Sequence, residues 1–171
     1  LALVPTCIWI TFIYRQDRAH PEPPSVVFTT FAVATLLAWG IGHASIDSAF
    51  SLSDWRASST TAHWVGAFAI VAVVQQFCAY FAVRVAVFQT NELDEPIDGI
   101  IYAAAAGLGV ATASTIRFVV ANEGLLPLAG TAWVASTTLV HVAASLPLGL
   151  GIAHRRLTGG SLGLTLLMLI S

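Results

Sequence analysis

The sequence contains no lysine, and only 9% of its 171 residues are charged. A water-facing domain carries about 25% charged residues, so there are too few here to cover a soluble surface. A basic run is missing as well: the seven cationic residues are all arginines and are scattered, which argues against a nucleic-acid partner. Cysteine is scarce, and Cys7 and Cys78 both fall inside apolar stretches, so no disulfide framework is expected. Period-two alternation of apolar and polar residues is absent, which disfavours a closed barrel. No secretory cleavage pattern is visible.

What the chain does have is long apolar runs. Hydrophobic residues make up 57% of it and the mean hydropathy is +0.81. Each run approaches the ~20 residues that a helix needs to cross a bilayer. Backbone groups find no water in hydrocarbon, so such runs must be helices or barrels, and the abundance of Ala, Leu, Gly and Val selects helices. Six segments are predicted: one ending near Tyr14, then 25–46, 62–88, 98–120 and 131–153, and a sixth beginning near Ser161. The fold class is therefore an all-α integral membrane protein. The chain begins at Leu1 and stops at Ser171 inside an apolar run, so residues 1–171 are expected to form one multi-pass domain truncated at both ends.

Arginine placement gives the orientation. Arg15, Arg18, Arg84, Arg155 and Arg156 lie on one side, and Arg56 and Arg117 on the other. The first, third and fifth segments are thus expected to end in the cytoplasm. In the fourth segment, Ala103, Gly107 and Ala111 recur every four residues, as do Ala105, Gly109 and Ala113. Such stripes let helix backbones approach closely in lipid. Glu95-Pro96 with Asp98 suits a helix start, because proline lacks a donor and carboxylates favour the positive end of the dipole.

Ionisable groups at membrane depth are costly and mark candidate sites. Here they are Arg84, Arg117 and His141, joined by the polar pair Gln75-Gln76. Arg84 is near a helix end and can snorkel to the headgroups. Arg117 calls for a buried partner, a glutamine or a backbone carbonyl. No aspartate or glutamate is expected within the core of a segment. A nucleophile–base pair of Cys78 with His141 is disfavoured, because Cys78 would lie ~10 Å deeper at 1.5 Å per residue.

Two stretches carry a resemblance to a known family. Tyr14-Arg15-Gln16-Asp17 with Glu22-Pro23 resembles the Y-x-x-D-x-x-x-x-E-P opening of the PrsW family of intramembrane proteases. The run from Asp94 through Asp98, Gly99, Tyr102, Gly107 and Gly109 is similar to that family's D-x-x-D-G-I-x-Y-G-A-x-x-G-L-G-F segment. His141 lies at the distance where the family has a central histidine. The resemblance covers about residues 5–153. It implies a bundle of about six transmembrane helices, in the style of the CAAX-type intramembrane proteases, and structural roles for Asp17, Glu22, Pro23, Asp94, Asp98, Gly99, Tyr102, Gly107 and Gly109.

At the family's catalytic positions the chain departs from the pattern. The E-E-x-x-K of the third helix is Gln75-Gln76-Phe77-Cys78-Ala79 here, and the F-x-x-x-E of the next helix ends in Ser114. Of the resemblance's catalytic set, Gln75, Gln76, Ala79, Ser114 and His141, only the histidine keeps its type. Amides cannot serve as a base, and one histidine cannot hold a catalytic zinc, which wants three protein ligands. Two deliberately introduced glutamines would leave Ala79 and Ser114 unexplained, so natural degeneration is the simpler account. The expectation is a pseudoprotease, scaffold or accessory subunit that binds other transmembrane helices, without metal or cofactor. Its expected surroundings are membrane lipid and a larger membrane complex, in a bacterial cytoplasmic membrane. The alternatives are an active intramembrane peptidase with an atypical site and, less well supported, a small-molecule or lipid carrier, for which no broken helix or paired charge marks a path.

Overall fold

The computed structural model describes residues 3–15, 21–49, 51, 54, 58–88, 90–123 and 128–159. Within them the apolar segments form α1 (Val4–Tyr14), α2 (Pro24–Ser48), α3 (Thr60–Ala86), α4 (Pro96–Ala121) and α5 (Leu128–Thr158). No strand occurs among the described residues. At 1.5 Å per residue, the 25 to 31 residues of α2 to α5 exceed the ~30 Å hydrocarbon core. Four helices are thus long and apolar enough to cross a membrane. With 11 residues, α1 falls short. Against the expected count of about six, the described residues hold four spans and one short helix; the segment expected from Ser161 lies outside the described residues. The protein is an all-α, multi-pass integral membrane protein.

The core is built around α4. Residues 101–115 of this helix are all buried, whereas the other three long helices bury less than half of their apolar windows. Their outward faces carry Phe28, Leu36, Ile41, Val85, Leu139 and Val140, and α1 adds Ile8 and Phe12, a surface suited to lipid rather than water. The alanines and glycines of α4 are what admit so many neighbours. A Cβ added at Gly109 would sit 2.8 Å from Ala34 Cβ of α2, and one at Gly107 would sit 2.6 Å from the His141 carbonyl of α5. The two predicted small-residue stripes therefore serve two different partner helices. Thr6 and Thr112 hydroxyls, 3.0 Å apart, join α1 to α4.

The start of α4 follows the local chemistry. Glu95 is extended and forms a reciprocal capping box with Asp98, with Pro96 in the first turn. Asp98 Oδ2 accepts from the Asp94 and Glu95 amides at 3.1 and 2.6 Å. Elsewhere the helices are less regular. α2 passes through π turns at Ala38–Gly42 and Ser45–Ala49, and α3 through one at Gly66–Ala72. Such turns concentrate at functional sites, and these flank the polar residues at membrane depth.

Candidate functional site

Polar side chains of α2, α3, α4 and α5 converge on two adjoining clefts. Gln75 Nε2 on α3 donates to Ser114 Oγ on α4 at 3.3 Å. Gln75 and Gln76 face α5 across a cleft of about 390 Å³, whose walls include Trp64, Trp133, Thr137 and His141. The second cleft, about 340 Å³, is lined by His43, Asp47, Gln75, Ser114, Arg117 and Trp133. Gln75, Val71 and Trp133 border both. Phe118 stacks on Trp133 with 4.1 Å between ring centroids, closing one wall. His43 Nε2 and Gln76 Oε1 are buried without a hydrogen-bond partner among the described residues.

Gln75, Gln76 and His141 thus border one cleft and Gln75 and Ser114 the other, so His141 shares a cleft with the glutamines and not with Ser114. Ala79 is apart from them. It is 1% exposed in the main apolar core. Cys78 lines a separate apolar groove with Leu37, Ile41 and Phe81, so it does not meet His141.

One expectation needs correcting. Arg117 pairs with the Asp47 carboxylate rather than with a glutamine or carbonyl. That partner comes from the end of a segment and not from its core. The π turns carry α2 two residues past its predicted end at 46, so Asp47 lies in its last turn and faces α4. His43, one turn before Asp47, escaped the sequence reading too. Its signal was present as His and Asp at i and i+4, a spacing that puts both on one helix face.

The motif residues away from the clefts form the loop-side end of the bundle. The Tyr102 hydroxyl, wholly buried, donates to Glu22. Glu22 is 6% exposed, and burial pushes its carboxyl up to about 8, with Asp98 and Glu92 adding to the shift and the Tyr102 bond opposing it. Pro23 precedes the first turn of α2. Gly99 lets α5 approach, because a Cβ there would sit 2.7 Å from Ala153 Cβ. Asp98 and Asp94 belong to the cap described above, and Gly107 and Gly109 to the helix contacts. Asp17 lies outside the described residues.

Fold and clefts together define a multi-pass helical membrane protein with polar groups gathered between its helices at membrane depth. The chain belongs to the PrsW family of intramembrane metalloproteases, which matches residues 22–170. It is 31% identical over 120 residues to the Protease PrsW of Geobacillus kaustophilus, covering 70% of this chain and 51% of that protein. It is 28% identical over 120 residues to the Protease PrsW of Oceanobacillus iheyensis, covering 70% and 53%. The chain spans about half the length of the curated relatives it matches. No solved structure matches it.

The family's description implies a metal. Among the described residues, no three of His, Cys, Asp and Glu gather closely enough to hold one. The clefts offer amides, a serine hydroxyl, two imidazoles and a carboxylate already engaged by Arg117. That donor set does not fit a catalytic zinc.

Proposed function

We propose that this chain is a family member that has exchanged hydrolysis for helix binding, acting as a pseudoprotease, scaffold or accessory subunit. The observation that carries this reading is the Gln75–Ser114 hydrogen bond. Two neutral groups satisfy each other where the resemblance calls for carboxylates, and neither can activate water at neutral pH. Gln76 and Ala79 complete the loss. What is left suits binding: Trp64 and Trp133 beside amide, hydroxyl and imidazole groups, in a cleft between α3 and α5. Side chains of this kind hydrogen-bond a neighbouring helix in lipid at about 1 kcal/mol each. The test is photo-crosslinking from position 137 or 140 in native membranes. Adducts to transmembrane segments of other proteins support the reading, and crosslinks to lipid alone contradict it.

A second reading, an active peptidase with an atypical site, draws on one feature. His43 and Asp47 lie one turn apart and face the same cleft as Gln75 and Ser114. Against it, the Arg117 guanidinium engages the Asp47 carboxylate, and a paired carboxylate is a weaker base. Cleavage of a transmembrane substrate that is lost in both His43→Ala and Asp47→Asn would favour this reading over ours.

A further inference from the structure

Three arginines lie at the loop-side ends of α3 and α5, far along the helices from the polar clefts, and two of them share one ring. The Arg84 guanidinium stacks 4.0 Å from the centroid of the Phe88 ring, and that of Arg155 lies 5.8 Å from the same centroid. Arg156 reaches across to the Thr90 carbonyl at 3.4 Å. None of the three has an ion-pair partner among the described residues, and Arg84 Nη1 is buried with no hydrogen-bond partner there.

Like charges gathered around one ring repel each other. A stacked guanidinium offsets part of that through the ring quadrupole, but stacking leaves its N–H donors unused. An unpaired buried donor is destabilising, because it has given up its water partner and gained no other. A group with several acceptor oxygens and negative charge would meet both demands, and the planar arginine fork matches phosphate in particular. Arginine placement assigns this end to the cytoplasm, where anionic lipids attract basic clusters between helices.

We propose that Arg84, Arg155 and Arg156 form a binding site for a phosphate-bearing anion, supplied either by an anionic phospholipid headgroup or by a soluble phosphate. Phe88 holds two of the guanidiniums in place, and Arg84 gives the site its buried donor.

The experiment is native mass spectrometry of the full-length protein in mild detergent, titrated separately with phosphatidylglycerol and with phosphatidylcholine. One phosphatidylglycerol per chain should survive at an occupancy about tenfold above phosphatidylcholine, a difference typical of charge-assisted recognition. Arg84→Gln should remove that preference. Because Arg84 is partly buried, Arg155→Gln/Arg156→Gln, at the last turn of α5, serves as a second variant, and helical melting checks that each folds. Excess inorganic phosphate distinguishes the two sources. Lipid retention that phosphate does not disturb identifies the headgroup. Phosphate binding by calorimetry that the arginine variants abolish identifies the soluble anion. Equal retention of the two lipids, together with no arginine-dependent phosphate binding, overturns the proposal.

Discussion

Replacing Glu22 by glutamine should flatten the pH dependence of the protein's stability. Burial holds the Glu22 carboxyl at about 8, against an ordinary value of 4.5. Between those values the folded chain keeps a proton that the unfolded chain has released. The stabilisation is therefore complete below about pH 4.5 and is lost as pH rises through about 8. One proton gives a slope of at most about 1.4 kcal/mol per pH unit. Glu22 also borders a polar cleft of about 400 Å³, and screening there lowers the expected loss between pH 5 and pH 8 to about 2 kcal/mol. Glutamine keeps an acceptor for the Tyr102 hydroxyl but cannot ionise, so this loss should vanish. Tyr102→Phe keeps the buried ring and removes the donor, which should cost about 1–3 kcal/mol, most at alkaline pH where the carboxylate needs it. The assay is thermal unfolding in detergent, followed by circular dichroism across this pH range. A wild-type melting temperature that does not fall toward alkaline pH, or an equal fall in Glu22→Gln, would refute the reasoning.

Three further predictions follow from the packing and the clefts. Gln76→Glu should destabilise the protein by about 3 kcal/mol, the scale for a carboxylate within a transmembrane helix. Gln76→Leu should cost no more than about 1 kcal/mol, because Gln76 Oε1 has no partner among the described residues; parallel melting curves in detergent make the comparison. Gly149→Ala should lower the melting temperature sharply, since its Cβ would sit 2.7 Å from Ala103 Cβ, and overpacking of this kind costs about 1–3 kcal/mol. Elemental analysis of the purified protein should find no stoichiometric zinc; about one zinc per chain, lost in His141→Ala, would contradict the donor-set argument.

Much of this architecture is legible in the sequence, because lipid imposes a coarse rule: apolar stretches of sufficient length become helices. The small-residue stripes of α4 also announce close packing, since atoms of α2 and α5 already stand where side chains at Gly109 and Gly107 would go. The cap at Glu95, Pro96 and Asp98 is equally local and equally readable. The Asp47–Arg117 pair is different. It depends on π turns that extend α2 beyond its apolar run, and hydropathy carries no trace of a change in helical pitch. His43 falls inside the predicted 25–46 segment, but its place beside Asp47, Ser114 and Arg117 shows only once the helices are packed. The Glu22–Tyr102 bond joins positions 80 residues apart; the motifs name both residues but do not say that they touch. Nor does sequence spacing reveal that Arg84 and Arg155 share the Phe88 ring.

The central claim is that the two adjoining clefts, one with Gln75, Gln76 and His141 and the other with Gln75 and Ser114, bind without cutting. The direct measurement is cleavage of a fluorogenic single-pass transmembrane substrate by the full-length protein in proteoliposomes, beside Gln76→Leu and His141→Ala. The account predicts no product above that of empty liposomes in all three. Product formed by the wild-type protein and abolished in either variant would contradict it.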